Sequence, residues 1–413
     1  MILYIIYLMS SPLLWFAVII STIFNSKIRN NYFSYYRTLN KVKVFLKDND
    51  KEILLFHAAS TGEFEQLKPL LRLINRNQYA IIQSFTSPTI FHENHDINLF
   101  DIKCYQPFDF FWASYLFFKS TKPAKYIITR HDLWPNHLSM AKFLGIKSYF
   151  INANIHQNSL WYQNIMISLT KFLFRKIEHI HVPSNRILNN LKNKSLYKGN
   201  ISISPDSRIA QVQFRSQNNT MNFPPYINKE NTTIFGSIDT YDEDIILSAL
   251  DSLYTKSKKN IKNTNQYYIL VPHEPTYHNI DLLYKKLDKA KFKYSLFNLN
   301  DTKLHNIIIV NKIGLLADLY KFSTKAYVGG GFTKGVHSIL EPAIYNCNIA
   351  FGPNIEILDE AKQLIENKSA YIINSTNDMN LFLRSQLANK NINFFHNKQI
   401  AQKILDQILY SND

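Results

Sequence analysis

Three polar clusters in the first half of the sequence come directly after apolar runs of strand length. Glu63 follows Ile53-Leu54-Leu55 in "EILLFHAASTGEFEQL", where helical periodicity begins. Thr86 and Ser87 follow "YAIIQSF", and Arg130, His131, Asp132 and Asn136 follow "KYIIT". In an open α/β sheet, ligands are held outside the carboxyl ends of strands. A carboxylate there either offsets the dipole of the helix starting beside it or takes a proton from a bound hydroxyl. For Glu63 the residues alone leave both roles open, and Asp132 is the next carboxylate in line. One polar strand end means little, but three in succession mark a candidate site.

The second half holds a different signal. In "YVGGGFTKGVHSILEPAIYNCNIAFGP", residues 327–353, four of the ten glycines fall between 329 and 335. Glycines let backbone N–H groups approach a phosphate, and a helix following them presents its positive end. A bare Gly329-Gly330-Gly331 run suits a tight turn equally well. Lys334, His337 and the "LEP" that follows favour a phosphate site, with Glu341 placed to accept bonds from a ribose or base. "GSIDTYDEDIIL", residues 236–247, repeats the strand, Gly236-Ser237, helix order; its acids suit a helix start. His273 and Glu274 follow the strand Ile269-Leu270-Val271 and are expected to face the same cleft.

These residues need strand ends to position them, and the chain supplies strands in alternation with helical stretches. "EILLFHAAS", "YAIIQSFT", "KYIITR", "KSYFINANI" and "EHIHVPS" read as strands, and "GEFEQLKPLLRLINR" carries helical spacing at Phe64, Leu67, Leu70, Leu71 and Ile74. Such alternation means βαβ units and parallel sheets. Periodicity fades over residues 213–233, which contain Pro224-Pro225, and restarts with "TIFGSID". The expected organisation is α/β: residues 25–212 form an N-terminal domain, 213–233 a linker and 234–413 a C-terminal domain, with the last helix able to pack back on the first. No internal repeat is visible.

Lys and Arg number 47 against 31 Asp and Glu, a formal charge of +16. This excess suits an anionic partner, such as a membrane surface or a phosphorylated substrate. Nucleic acid is disfavoured, since no arginine-rich arm, zinc-finger spacing or RNP-like motif occurs. Residues 1–24 contain no charged side chain, near the ~20 residues of a membrane-crossing helix. Lys27 and Arg29 come after them, which predicts a cytoplasmic C-terminal side. Ser10-Ser11-Pro12 keep an interface-lying anchor open as the alternative to a full span. Cys104 and Cys347 read as reduced, packed thiols. His92 and His95 lack further ligands, so no metal is expected.

Taken together, "HAASTGEFEQ", "FTSPT", "YQPFDF", "DLWPNHL", "INANI", "PDSRI", "GS" at 236, "VPHEP", "VGGGFTKGVHSILEPA" and "FGPN" resemble the 3-deoxy-D-manno-octulosonic acid (Kdo) transferases over about residues 5–405. The resemblance implies a GT-B glycosyltransferase, two Rossmann-like domains facing a cleft behind a hydrophobic N-terminal membrane-anchor helix. It implies Kdo transfer from CMP-Kdo to a lipid A precursor at the inner membrane, on the cytoplasmic face, with no cofactor. Glu63 corresponds to the family's catalytic base, and Asp132 is the second catalytic candidate. Donor binding would fall to Gly236, Ser237, His273, Gly329, Gly330, Gly331, Lys334, His337, Ser338 and Glu341. Acceptor binding would fall to Ser60, Thr86, Ser87, Arg130 and Asn136. Four positions depart from the pattern: Asp132 replaces a glutamate, Ser338 an asparagine, and "PDSRIA" carries Pro205 and Ala210 at its ends. A GT-B enzyme using a nucleotide diphosphate sugar, or a membrane-tethered binding protein without activity, remain the alternatives.

Overall fold

The structure, a computed structural model, describes residues 2–92, 97–256, 265–297, 304–356, 358–385, 394–395 and 399–410. The chain divides into two compact units, residues 1–211 with 397–413 and residues 212–396.

The first unit is built on seven strands: β1 (Glu52–Ala58), β2 (Tyr79–Phe85), β3 (Ile102–Tyr105), β4 (Lys125–Thr129), β5 (Lys147–Ile151), β6 (Ile177–Val182) and β7 (Asn200–Ile203). They lie in the order β3-β2-β1-β4-β5-β6-β7, and every pairing is parallel. Helices cover both faces of such a sheet, so its strands read as unbroken apolar runs; every residue of β2 is buried. The order reverses at β1, whose neighbours are β2 on one side and β4 on the other. The three polar strand ends, after β2, β1 and β4, are therefore adjacent in space.

Two long helices precede this sheet, α1 (Ile2–Phe24) and α2 (Ser26–Phe45), and α3 (Thr61–Leu71) follows β1. Asn25 joins the first two and caps α2, its side chain accepting the N–H groups of Lys27 and Ile28. α2 buries Tyr35, Leu39 and Val42, the i, i+4, i+7 stripe of an amphipathic helix, within a polar sequence that did not announce it. α1 is long and apolar enough to cross a membrane. Its buried residues are Ser11 and Thr22, while Ile2, Met9, Leu13, Phe16, Ile23 and Phe24 are exposed.

The second unit repeats the plan with β8 (Thr232–Ile238), β9 (Tyr267–Pro272), β10 (Tyr294–Leu296), β11 (Ile307–Ile309), β12 (Lys325–Val328), β13 (Asn348–Phe351) and β14 (Ala370–Ile372). The order is β10-β11-β9-β8-β12-β13-β14, again parallel. The reversal falls at β8, which sets the ends of β9, β8 and β12 side by side. β3, β7 and β14 have only three or four residues each and gave no strand signal. The helix Arg208–Gln217 runs through the first five positions read as linker, because Ile209 and Val212 recur at helical spacing and are buried. Cys104 and Cys347 are buried free thiols. His92 ends a short helix and is exposed, whereas His95 lies outside the described residues. Among the described residues no group of three or more His, Cys, Asp or Glu gathers as a metal site.

The C-terminal helix Ile400–Leu409 belongs to the first unit, burying Ile400, Ala401, Ile404, Leu405 and Ile408. Its last turn is held by Lys125 Nζ, which donates to the carbonyls of Ile408 and Leu409 at 2.9 and 2.8 Å. Ile404→Ala leaves a cavity in this packing and should lower stability by about 2–5 kcal/mol, with Ile404→Val costing about 0.5–1.5. Urea unfolding followed by circular dichroism measures both. An alanine variant as stable as the parent would show the helix to be peripheral to the fold.

Candidate active site

The stretch from β1 into α3 turns on Ser60, the N-cap of α3, whose Oγ accepts the Glu63 N–H at 3.4 Å. The Glu63 carboxylate folds back, and its Oε2 accepts the Ala59 N–H at 2.7 Å. This is close to the reciprocal capping arrangement that a Ser-x-x-Glu spacing encodes. Oε1 makes no hydrogen bond among the described residues. Glu63 is 7 % exposed. Burial, with the Asp132 charge adding to it, pushes its carboxyl up to about 7, against the pull of the Ala59 N–H, His57 and Arg130.

Asp132 stands in the loop after β4, where Arg130 adopts a left-handed conformation at φ 63°. One Asp132 oxygen pairs with His57 Nε2, and the other accepts the Trp134 indole N–H at 2.6 Å. His57 is the buried penultimate residue of β1. Its Nδ1 lies 2.9 Å from Ser84 Oγ on β2, and Nε2 lies 3.4 Å from Thr86 Oγ1. The imidazole thus bridges all three strand ends. In the sequence His57 is only a histidine near the end of an otherwise apolar strand, and its part in the site comes from partners on other strands.

Arg208 was also missed. The block "PDSRI" wraps the back of α3: Gln66 donates to Asp206 at 2.6 Å, and Ser207 Oγ donates to the Gln66 carbonyl at 2.7 Å. Arg208 thereby reaches the Gly62 carbonyl at 3.5 Å, beside the candidate base. A Cβ on Gly62 would meet nothing closer than that guanidinium at 3.6 Å. Ser60, Thr61 and Gly62 are exposed, and Thr86, Ser87 and Arg130 are half-buried around the same end of the sheet.

Asn136 does not fit its expected place on the acceptor side. It is fully buried, with Nδ2 donating to the Asp109 carbonyl at 2.6 Å and Oδ1 accepting from Tyr4 at 3.1 Å. Its amide is consumed inside the protein, so Asn136 is a framework residue.

In the second unit, a cavity of about 350 Å³ gathers His273, Gly330, Lys334 and His337 from the expected donor set, together with Asp239, Glu243, Glu274, Asn279 and Thr333. The His273 and His337 rings stack at 4.0 Å. Burial first, then the His273 charge, lowers His337 to about 4, so it is neutral at pH 7. Gly236, Ser237, Gly329, Gly331, Ser338 and Glu341 do not line this cavity. Ser338 Oγ is buried and has no hydrogen-bond partner among the described residues.

The glycine loop departs from a simple phosphate cradle. The N–H groups of Gly329, Gly330, Thr333, Gly335, Val336 and His337 are all spent on internal acceptors. Those of Gly331, Phe332, Lys334 and Ser338 carry no bond among the described residues. Gly330, at φ 86°, has no room for a side chain: a Cβ would meet the Gly335 carbonyl at 2.7 Å and the His337 ring at 2.9 Å. The loop is held by Asp242, an acid that reads in sequence as helix-dipole compensation. Its buried carboxylate accepts from Tyr327 OH at 2.6 Å, Gly330 N–H at 3.0 Å and Asp239 N–H at 2.9 Å.

Residues 32–211 match the family model of the 3-deoxy-D-manno-octulosonic-acid transferases (kdotransferases). The Kdo transferase of Rickettsia felis is 22% identical over 384 residues, covering 87% of this chain and 78% of the relative. That of Aquifex aeolicus is 25% identical over 329 residues, covering 78% and 82%. A bifunctional glycosyltransferase/methyltransferase of Fusobacterium nucleatum is 26% identical over 350 residues; the alignment covers 80% of this chain and only 52% of that protein. Among solved structures, UDP-GlcNAc 2-epimerase from Methanocaldococcus jannaschii superposes with a TM-score of 0.59 at 15% identity, covering 87% of this chain and 99% of that one. The epimerase from Neisseria meningitidis gives 0.59 at 11% identity, covering 88% and 100%. Two doubly wound parallel sheets with these neighbours define a GT-B-like protein, and its relatives make it a glycosyltransferase. The family model matches residues 32–211, and the similarity to Kdo transferases extends over most of the chain.

The Glu63 environment has a thermodynamic signature. The folded carboxyl holds its proton up to about 7, while an unfolded glutamate releases it near 4.5. Between those values the folded state binds more protons, so this contribution is fully present below 4.5 and is lost as pH rises to about 7. The parent should lose roughly 3 kcal/mol more stability than Glu63→Gln between pH 5 and 8, the worth of a shift of this size. Urea midpoints across that range test it. Parallel pH profiles for the two proteins would mean that Glu63 is hydrated and ordinary.

Proposed function

We propose that the protein transfers Kdo from CMP-Kdo to a hydroxyl of a lipid A precursor, as an inverting glycosyltransferase of lipopolysaccharide synthesis. The observation that carries this reading is the buried Glu63 carboxyl at the end of β1, with one oxygen unengaged and its proton affinity raised to about 7. A base acting on a sugar hydroxyl works best with a pKa near the working pH. In the proposed step the acceptor oxygen attacks the anomeric carbon of Kdo. The carbon–oxygen bond to the cytidylate phosphate breaks, CMP leaves with that electron pair, and the hydroxyl proton passes to Glu63. Asp132 keeps the proton affinity of Glu63 high and is itself held by His57. Arg130 and Arg208 supply positive charge for acceptor phosphates. The donor nucleotide is assigned to the strand-end region of the second unit, between the turn after β8 and the glycine loop.

Purified protein incubated with CMP-Kdo and tetraacylated lipid A precursor should release CMP and yield an acceptor heavier by one or more Kdo residues. Glu63→Gln should lose roughly 10²-fold or more of the rate with CMP binding unchanged. The parent kcat/KM should rise with pH and level off above about 7, because only the ionised carboxylate accepts the proton. Near-parental turnover by Glu63→Gln would move the base to Asp132, and transfer only from a nucleotide diphosphate sugar would replace the donor.

α1 is assigned as the membrane anchor, with the inner membrane and its cytoplasmic face as the proposed location. The exposed apolar side of α1 supports this. Lys171 and Arg175, on and just after the helix Ile167–Phe174, would each add about 1 kcal/mol on an anionic surface. A chain lacking residues 1–24 should leave the membrane fraction at high salt, and complete sedimentation would overturn the assignment.

A further inference from the structure

The helix that carries Asn136 begins with an unusual cap. Trp134 occupies the N-cap position of the helix Pro135–Phe143 and makes no capping bond. The missing acceptor comes from Asp109, in the loop after β3. Its Oδ2 accepts the Asn136 N–H at 3.0 Å, and its Oδ1 accepts the His137 N–H at 2.8 Å and pairs with the His137 ring. A carboxylate on the first free N–H groups of a helix sets both the position and direction of the chain entering it. The chain entering here is the Asp132-Leu133-Trp134 loop, fixed further by the extended conformation that Pro135 imposes on Trp134.

Two hydroxyls from α1 complete this cap. Tyr7 OH donates to Asp109 Oδ2 at 3.0 Å, and Tyr4 OH donates to Asn136 Oδ1 at 3.1 Å. Tyr4 also lies against Phe172, with ring centroids 4.9 Å apart. On the other flank of β1, Asn31 of α2 donates to the Thr86 carbonyl at 2.8 Å. The strand ends on both sides of Glu63 are thus hydrogen-bonded to the two N-terminal helices. An apolar helix that served only as a greasy anchor would need no hydroxyl at these positions, since phenylalanine packs equally well without a donor to satisfy.

We infer that Tyr4 and Tyr7 are positioning residues, which tie the seating of the apolar helix α1 to the placement of Asp132 beside Glu63. The inference rests on the proposed role of Glu63 as base. When α1 is seated, the Asp109 cap is complete and the Asp132 loop is fixed; without the hydroxyls the loop loses its outer support. The groups facing Glu63 are Asp132 and Arg130 from that loop, His57 from β1, and Arg208 beside Gly62. Of these, Asp132 and Arg130 depend on the cap, whereas His57 and Arg208 do not.

The test is Tyr4→Phe/Tyr7→Phe in the full-length, membrane-bound protein, with Tyr36→Phe at an exposed position of α2 as control. The double variant should lose about tenfold or more in kcat, the size of effect expected from a misplaced catalytic group. Its KM for CMP-Kdo should stay unchanged, and the acid limb of its pH–rate profile should move to lower pH as the Asp132 charge retreats from Glu63. Amide hydrogen exchange should rise over residues 130–140 and stay unchanged over 327–338, independently of turnover. Tyr36→Phe should match the parent. Parental kcat and parental exchange in the double variant, with the parent active, would overturn the inference. A parent that transfers no Kdo would instead refute the functional proposal, and exchange over 130–140 would then decide the structural part alone.

Discussion

Two carboxyl groups sharing a poorly hydrated recess cannot both ionise without large cost, and the first unit is arranged around that constraint. Glu63 and Asp132 come from different loops and meet only because β1 and β4 are neighbours in the sheet. His57 distinguishes the two by pairing with only one of them. Its imidazole pairs with Asp132 and leaves Glu63, bonded only to the Ala59 N–H, as the group that holds a proton. Asp132 and His57 act on Glu63 in opposite directions, the first raising its proton affinity and the second lowering it. The left-handed Arg130, the Ser60 cap and the Asp206–Ser207 brace behind α3 all serve to hold these three side chains in place.

The second unit solves a different problem with a similar device. Its glycine loop is held by hydrogen bonds within itself and by Asp242, which accepts three bonds from three different segments. Burial raises the affinity of Asp242 for a proton, and the bonds from Tyr327, Asp239 and Gly330 oppose it. The close contact of Gly331 with Gly352, 2.6 Å from a built Cβ, shows that part of the glycine requirement is internal packing. Only the few unspent N–H groups are available to an anion. A glycine cluster in sequence therefore overstates the number of donors that a folded loop can offer.

What was legible in the sequence follows from periodicity. Long apolar runs such as "EILLFHA" and "YYILVP" gave strands, alternation gave parallel sheets, and polar residues after those runs gave the strand ends where the sites lie. What was not legible depended on contacts distant in sequence. β3, β7 and β14 are too short to show a pattern, and α2 hides a narrow apolar stripe among polar residues. Asn136 looked available because it follows a strand, but Asp109 and Tyr4, 27 and 132 positions away, consume its amide. His57 and Arg208 were invisible as site residues because their meaning comes from Asp132 and Gly62, their partners across the fold.

The departure at position 132 becomes intelligible in this setting. Resemblance suggests a glutamate there, and aspartate is one methylene shorter, which ordinarily leaves a carboxylate short of its partner. Here the shorter side chain is matched by partners brought to it: His57 reaches out from β1, and the Trp134 indole folds back from two residues ahead. A carboxylate held from both sides has little freedom to swing toward Glu63 or away from it. Its influence on Glu63 then depends on where the loop backbone lies, rather than on side-chain conformation. That makes the loop's outer supports, the Asp109 cap and the helix beyond it, part of what places the two carboxyl groups. A longer and more flexible side chain at 132 would tolerate a looser loop, so the aspartate and the tight cap are best understood as one arrangement.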